Sequence, residues 1–402
     1  MSETPADIVV AGHTCLDIIP CLDGIAVRSG RLFAPGALVN VGPASVATGG
    51  AVPNTGVALY RLGLMPRLIG KLGDDPLGQL VLDILRNHHL SLADHMIVAP
   101  GEHTSYSLVI SPPGVDRTFL HYPGVNDTFA ADEVPYDRIA GSRLFHFGYP
   151  PLMGRMFCDG GHELAAMLRR VRDRAVAVSL DMSQPDVAAE AGRADWLALL
   201  NRVLPHVDIY LPSLDETLLM LDRPAFDRRQ KEGRIGGPGS VVDGGLLHRT
   251  ADRLLAMGAA VVALKLGDQG LYLRTSPDRS RLAVVPGRLG LDSPEWVGRE
   301  VLAPCFDVRV AGTTGSGDCT IAGFLAALLA GQSPTDAVRS SVAVGAFSVQ
   351  APDATSGVPD WDRVQRQLAS DWRQRPVSIQ LDGWTHDNRT GLWHSPADEG
   401  RR

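Results

Sequence analysis

The chain has 402 residues, 45% of them hydrophobic and 21% charged, the balance of an ordinary globular protein able to bury a large core. A net charge of −7 counts against a nucleic-acid partner, and no stretch approaches the roughly 18 apolar residues of a membrane span. Five scattered cysteines without C-x-x-C spacing argue against a zinc site or disulfide frame, and with no basic, apolar leader in MSETPADIVV the expected location is the cytoplasm.

Residues 7–19 begin as an apolar strand that breaks at Gly12, and Asp17 lies just beyond the break. Ligands of a parallel sheet gather at such strand ends, although a solvated turn residue would read the same way. Residues 24–48 show no helical period; 37–39 and 46–47 read as short strands. Gly49-Gly50 permits a close backbone approach, and a helix starts near Pro53 and ends at Gly63. Asn54, at its start, either caps the helix or faces a ligand. Residues 68–80 read as strand, turn and the opening of a helix over 77–87, with Asp74 and Asp75 at its start. Residues 104–123 alternate around Pro112-Pro113-Gly114, a hairpin with Asp116 and Arg117 near its tip.

From 143 to 270 strand and helix patterns alternate. Strands are expected at 144–148, 176–181, 207–211 and 259–265, and helices at 161–174, 196–204 and 246–257. Ser213-Leu214-Asp215-Glu216 opens a further helix as a capping box. Residues 225–245, charged and Gly-rich, read as an insertion or loop, and 280–306 as a Pro/Gly-rich stretch with an extended piece at 289–299. A helix over 335–350 carries small residues that would let a flat base approach. The segment from about 376 onward, around Trp384 and Trp393, has no readable role.

The most informative stretch is VRVAGTTGSGDCTIAGFLAALLAG, residues 308–331. Gly312, Gly315 and Gly317 frame a tight turn, and the helix that follows is apolar nearly all round and so buried. Its N-terminus offers free N–H groups and a partial positive charge where the glycines open the backbone, an anion site. Asp318 stands in the first helical turn. A carboxylate fixed beside an anion hole suits proton removal from a hydroxyl that attacks a phosphoryl group; a helix cap and a plain turn are the alternative.

GTTGSGD closely resembles the D-T-x-G-A-G-D signature of the ribokinase-like (PfkB) carbohydrate kinases, and Gly49-Gly50 with Asn54 resembles that family's G-G-x-x-x-N. The resemblance spans about residues 7–370. It implies a three-layer α/β/α sandwich on a mostly parallel sheet, with a small β lid from about 14–48 and 102–123, and leaves 371–402 as a tail. It implies Asp318 as catalytic base, with Gly315, Ser316 and Gly317 cradling the transferred phosphoryl group. By the same resemblance Asp17, Gly49, Gly50 and Asn54 hold the sugar and Arg117 reaches in from the lid. Lys265, Gly267 and Thr313 lie at the ATP, and Glu216 orders water around Mg2+. Two copies pair through the lid in the corresponding expectation.

There are departures. The family's leading Asp, which commonly helps hold a monovalent cation, is Gly312 here, which counts against K+ activation. Ser213 replaces Asn of P-N-x-x-E, and Ala51 stands where ribokinases proper often carry Lys, so ribose is disfavoured. Two rival readings share the fold: a nucleoside kinase, and a sugar- or nucleotide-binding protein with weak turnover. A dinucleotide-dependent oxidoreductase is weaker, because Gly12-His13-Thr14 lacks G-x-G-x-x-G.

Overall fold

A computed structural model describes residues 6–22, 34–111, 118–233, 235–236 and 240–398. Arg117 and the hairpin turn at 112–117 therefore lie outside the described residues.

The strands in chain order are β1 (Ile8–Gly12), β2 (Cys15–Pro20), β3 (Ala44–Gly49), β4 (Arg67–Ile69), β5 (Lys71–Gly73), β6 (Ile97–Ala99), β7 (Tyr106–Ile110), β8 (Thr118–Tyr122), β9 (Leu144–Gly148), β10 (Ala177–Asp181), β11 (Ile209–Tyr210), β12 (Val261–Lys265), β13 (Leu271–Thr275), β14 (Glu300–Ala303), β15 (Thr385–Asp387) and β16 (Leu392–His394). The main sheet runs β15-β16-β14-β13-β12-β11-β10-β9-β1-β4. Its section from β4 to β12 is parallel, and β13, β14, β16 and β15 continue it antiparallel.

Strand periodicity explains the three layers. Ile8 and Val10 enter one apolar core with the helices Ala51–Arg61, Ser316–Leu329 and Pro334–Ser348. Val9 and Ala11 point the other way, into a second core with the helices His162–Arg172, Trp196–Val203 and Gly244–Ala256. Successive strand residues face opposite sides, so a sheet buried on both faces needs continuous apolar strands. Val-Val-Ala in β1 and Val-Val-Ala-Leu in β12 meet that need.

A second sheet, β3-β2-β7-β8, forms from the two segments expected to make the lid. Residues 37–39 are not a strand; that pairing falls to β3, which runs antiparallel to β2 with Cys15 opposite Gly49. The stretch from 225 read as a loop is partly the helix Arg223–Glu232. Asp222 caps it and Pro224 sits in its first turn, a start signal outweighed in the sequence by the glycines beyond. The extended piece expected at 289–299 is absent among the described residues, and the strand comes later, as β14.

The small residues of Pro334–Ser348 serve two purposes. A Cβ at Gly345 would stand 2.4 Å from Thr320 Oγ1, and one at Gly323 2.9 Å from Val344 Cβ, so glycines let these two helices touch. Gly345 and Ala346 also line a cavity described below. Lys71 is buried and tied to Glu102 (2.9 Å), Glu133 (2.8 Å) and Thr128 Oγ1 (2.9 Å). That makes it a buried structural cross-link. The C-terminal segment supplies β15 and β16, which extend the main sheet from β14.

Candidate active site

The C-terminal ends of β1, β9, β10 and β12 converge, and close backbone approach brings two helices onto them. A Cβ at Gly12 would stand 2.3 Å from the Gly148 carbonyl oxygen, and one at Gly148 2.2 Å from Ala51 Cβ. The helix Ala51–Arg61 therefore begins directly against the end of β9. The helix Ser316–Leu329 begins beside it. Its N-cap is Gly315 at φ 65°, and no described side chain caps it. The N–H groups of its first turn thus have no intrahelical acceptor.

Asp318 is buried in that first turn, 2% exposed. Asn54 Nδ2 donates to its Oδ2 at 2.9 Å, and the Tyr149 hydroxyl donates to its Oδ1 at 2.8 Å. Each oxygen keeps a lone pair for a further donor. Burial pushes the carboxyl up to about 6, opposed by the Asn54 bond, the Lys265 charge and the Tyr149 bond. It is therefore ionised at neutral pH and more basic than an ordinary carboxylate. Tyr149 lies in the left-handed region at φ 68°, a conformation that costs about 1 kcal/mol or more for a non-glycine residue. Burial and the neighbouring Asp318 and Asp181 raise its phenol well above the ordinary value, so it stays a neutral donor.

On the other side of the turn, Lys265 at the end of β12 donates to Asp181 Oδ1 at 2.7 Å. Asp181 Oδ2 has no hydrogen-bond partner among the described residues. Burial disfavours the Lys265 ammonium, but Asp181, Glu216 and Asp318 outweigh it and raise its pKa. A Cβ at Gly317 would stand 3.8 Å from Lys265 Nζ, so a fixed cation lies beside the anion hole.

Two cavities meet at this turn. The larger, of about 1310 Å³, is lined by His13, Asp17, Gly50, Asn54, Tyr149, Gly315 and Asp318, and is roofed by Ser107, Phe119 and His121 of the second sheet. The smaller, of about 260 Å³, is lined by Lys265, Gly267, Ser316, Gly317 and an apolar wall of Val308, Val310, Val342 and Ala346. Thr313 lines both. A carboxylate opens on one chamber, a lysine on the other, and a backbone anion hole lies between them. This geometry serves transfer of an anionic group to a hydroxyl.

Residues 5–361 match the model of the pfkB family carbohydrate kinases. The chain belongs to the pfkB family. It is a carbohydrate kinase with the ribokinase-like fold. An uncharacterized sugar kinase of Archaeoglobus fulgidus is 26% identical over 304 residues, covering 75% of this chain and 98% of its own. A 2-dehydro-3-deoxygluconokinase of Bacillus subtilis is 25% identical over 340 residues, 83% of this chain and 90% of its own. The structure of an Arabidopsis thaliana ribokinase complexed with ribose and ATP superposes with a TM-score of 0.66 at 17% identity, over 92% of this chain and 100% of that one.

Most pfkB-type residues named from the sequence fall at the two cavities. Gly49 does not line either, but it makes room: a Cβ there would stand 2.5 Å from Asp17 Oδ2. Asn54 does not cap its helix, and its amide bonds the Asp318 carboxylate instead. Glu216 takes part in the capping box, accepting from Ser213 N at 2.6 Å while Ser213 Oγ accepts from Glu216 N at 3.2 Å. Arg117 lies outside the described residues.

Three participants escaped the sequence reading. Tyr149 and Asp181 follow or end β9 and β10, and the rule that sites gather at parallel strand ends would have found them. His13 had no local signal. It is 2% exposed, lines the larger cavity, and neither ring nitrogen has a hydrogen-bond partner among the described residues. A Cβ at Gly50 would stand 2.5 Å from its Nδ1, so the second glycine of Gly49-Gly50 makes space for the imidazole. Burial, with His121 beside it, lowers His13 to about 3, and the ring is neutral.

Proposed function

We propose that this kinase transfers the γ-phosphoryl group of ATP to a hydroxyl, a primary one, of a neutral sugar or small polyol held in the larger cavity. The observation that carries the reading is Asp318, fixed by Asn54 and Tyr149 at the junction of two chambers. Asp318 orients the attacking hydroxyl and takes its proton. Because an alcohol is a far weaker acid than a carboxyl at about 6, the proton moves late, and orientation supplies much of the effect. The N–H groups of Gly315, Ser316 and Gly317 with Lys265 stabilise the equatorial phosphoryl oxygens.

The substrate class follows from charge. Asp17, Asp127, Asp186, Glu190 and Asp318 line the larger cavity against one described cation, Arg155. That lining favours a neutral polyol over a sugar acid. A buried donor or acceptor left unpaired costs about 1–3 kcal/mol, so the unpartnered His13 nitrogens invite sugar hydroxyls. We expect His13→Ala and Asp17→Ala to raise the KM for the sugar roughly tenfold or more while the KM for ATP moves little. Initial-rate kinetics with each substrate varied in turn checks this. A rise confined to ATP would reverse the assignment of the two cavities.

ATP occupies the smaller cavity in this reading, its base against the valine wall and its phosphates toward Lys265, Gly267 and Thr313. Magnesium fits as an ion carried mainly by phosphates and water. Among the described residues no cluster of three or more His, Cys, Asp or Glu side chains is arranged to hold a metal, and the unpartnered Asp181 Oδ2 with Glu216 is left to order its water. When bound, the ion screens phosphate charge.

Potassium activation is expected to be weak or absent. A Cβ at Gly312 would stand 2.7 Å from the Pro352 carbonyl oxygen and 3.0 Å from that of Ala351, so backbone fills the place of a carboxylate. Turnover in K+ against a large organic cation at matched ionic strength tests this. A tenfold rise would show that carbonyls rebuild a cation site. The reading places the protein in the cytoplasm, as five cysteines joined by no disulfide favour; no described helix is long and apolar enough to cross a membrane. It also has two copies meeting through the lid, where Val46, Tyr106, Phe119, Leu120 and Tyr122 are exposed.

A further inference from the structure

The family match ends at residue 361, yet the chain beyond it returns to the smaller cavity. Trp372 stacks on Phe306 with ring centres 4.1 Å apart and packs on Phe347 at 5.0 Å. Gln374 pairs antiparallel with Phe306, and flanking bonds run from Asp307 N to the Arg373 carbonyl (2.9 Å) and from Arg375 N to that of Cys305 (2.8 Å). Three residues on, Ser378 N donates to Gln269 Oε1 at 2.7 Å. Gln269 belongs to the turn 267–269, which joins β12 to β13 and carries Gly267 and Asp268 into the cavity. The far end is held as well. Arg299 Nε donates to buried Asp398 at 2.7 Å, and β16 pairs with β14. The segment is thus built into the wall that faces the nucleotide chamber.

Arg375 is the consequence. Its side chain lines the cavity and is 40% exposed, and its nearest carboxylate, Asp268, stands 3.9 Å away, beyond a direct hydrogen bond. The other lining cation is Lys265, already engaged by Asp181. A guanidinium anchored through its backbone, on the rim of a mostly apolar slot, offers a planar fork of donors to an anionic ligand.

We propose that the segment 371–398 is a working part of the nucleotide site, with Arg375 binding the phosphate chain of a nucleoside triphosphate. The proposal rests on the ATP reading of the smaller cavity. Asp268 holds the guanidinium at the rim while the chamber is empty, and the phosphates replace it as partner. The stacked Trp372 and the Ser378–Gln269 bond keep rim and turn in register, so the nucleotide meets a wall set in advance.

The test pairs steady-state kinetics with thermal melting of the full chain, with and without magnesium ADP, for wild type, Arg375→Ala and Arg375→Lys. Arg375→Ala is expected to raise the KM for ATP about tenfold, as loss of one charge-assisted contact would, and to shrink the ADP-induced rise in Tm. The KM for the sugar and the Tm of the free protein should stay put, and Arg375→Lys should recover part of the loss. An unchanged KM for ATP with an undiminished ADP shift would overturn the proposal. So would a lowered Tm of the free protein with both KM values raised, the mark of a purely structural role. If wild type itself shows neither an ADP shift nor nucleotide turnover, the ATP reading falls, and the proposal with it.

Discussion

Replacing Asp318 with Asn is expected to lower kcat by at least about a hundredfold without lowering the melting temperature. The two halves of this expectation have one origin. The carboxyl titrates at about 6 in the folded protein against an ordinary 3.8. Below about pH 4 both folded and unfolded states are protonated and the group is neutral to stability. Above about pH 6 the folded state bears the full cost of a buried charge, which at about 1.4 kcal/mol per pH unit is roughly 3 kcal/mol. Asparagine removes that cost, although it returns part of the gain by facing the Asn54 amide and the Tyr149 hydroxyl with one acceptor instead of two. In wild type the same titration sets the acid limb of kcat/KM near pH 6, with a tenfold fall per unit below it. Calorimetry with a pH–rate profile checks both points. An acid limb near pH 4, or near-wild-type turnover in the variant, would remove Asp318 from the role of base.

Gly317→Ala is expected to fold as well as wild type and to lose on the order of a hundredfold in kcat, the size of losing a donor from an anion hole. A methyl at Gly317 would meet the Lys265 side chain, with Cδ at 3.6 Å, Cε at 3.7 Å and Nζ at 3.8 Å, all ordinary contacts. Alanine is also the better helix former by about 0.5–1 kcal/mol. Nothing among the described residues requires glycine there, so a loss of activity would come from what approaches the turn. Gly315 differs. It sits at φ 65°, and a Cβ would lie 2.6 Å from Ala354 Cβ, so Gly315→Ala is expected to damage the fold itself. Denaturation midpoints and single-turnover rates separate the two. Full activity in Gly317→Ala would show that the phosphoryl group does not come close to this turn.

The Gly-rich turn that carries Asp318 was legible in the sequence because its signal is local. Glycines, carboxylate and apolar helix all fall within residues 312–329, and the doubly wound sheet followed from buried strands alternating with helices. What was not legible depends on contacts across the chain. Tyr149 reaches Asp318 across 169 positions and Asn54 across 264, and no spacing rule joins them. His13 reads as one polar residue after a strand, and only the fold shows its ring enclosed beside an open cavity. The tail failed for another reason. Thr385–Asp387 and Leu392–His394 are three-residue strands on a sheet edge, too short to show a period of two, and their order comes from the buried Arg299–Asp398 pair and the Trp372 stack.

In the proposed reaction an acceptor hydroxyl in the larger cavity is phosphorylated from ATP through Asp318. The most direct measurement is ADP release by wild type and Asp318→Asn, side by side, over neutral sugars and polyols, sugar acids and nucleosides. Turnover that depends on a neutral sugar or polyol and is lost in the variant is expected. Turnover with nucleosides or sugar acids alone, or ATP consumption that persists without acceptor or without the carboxylate, would contradict it.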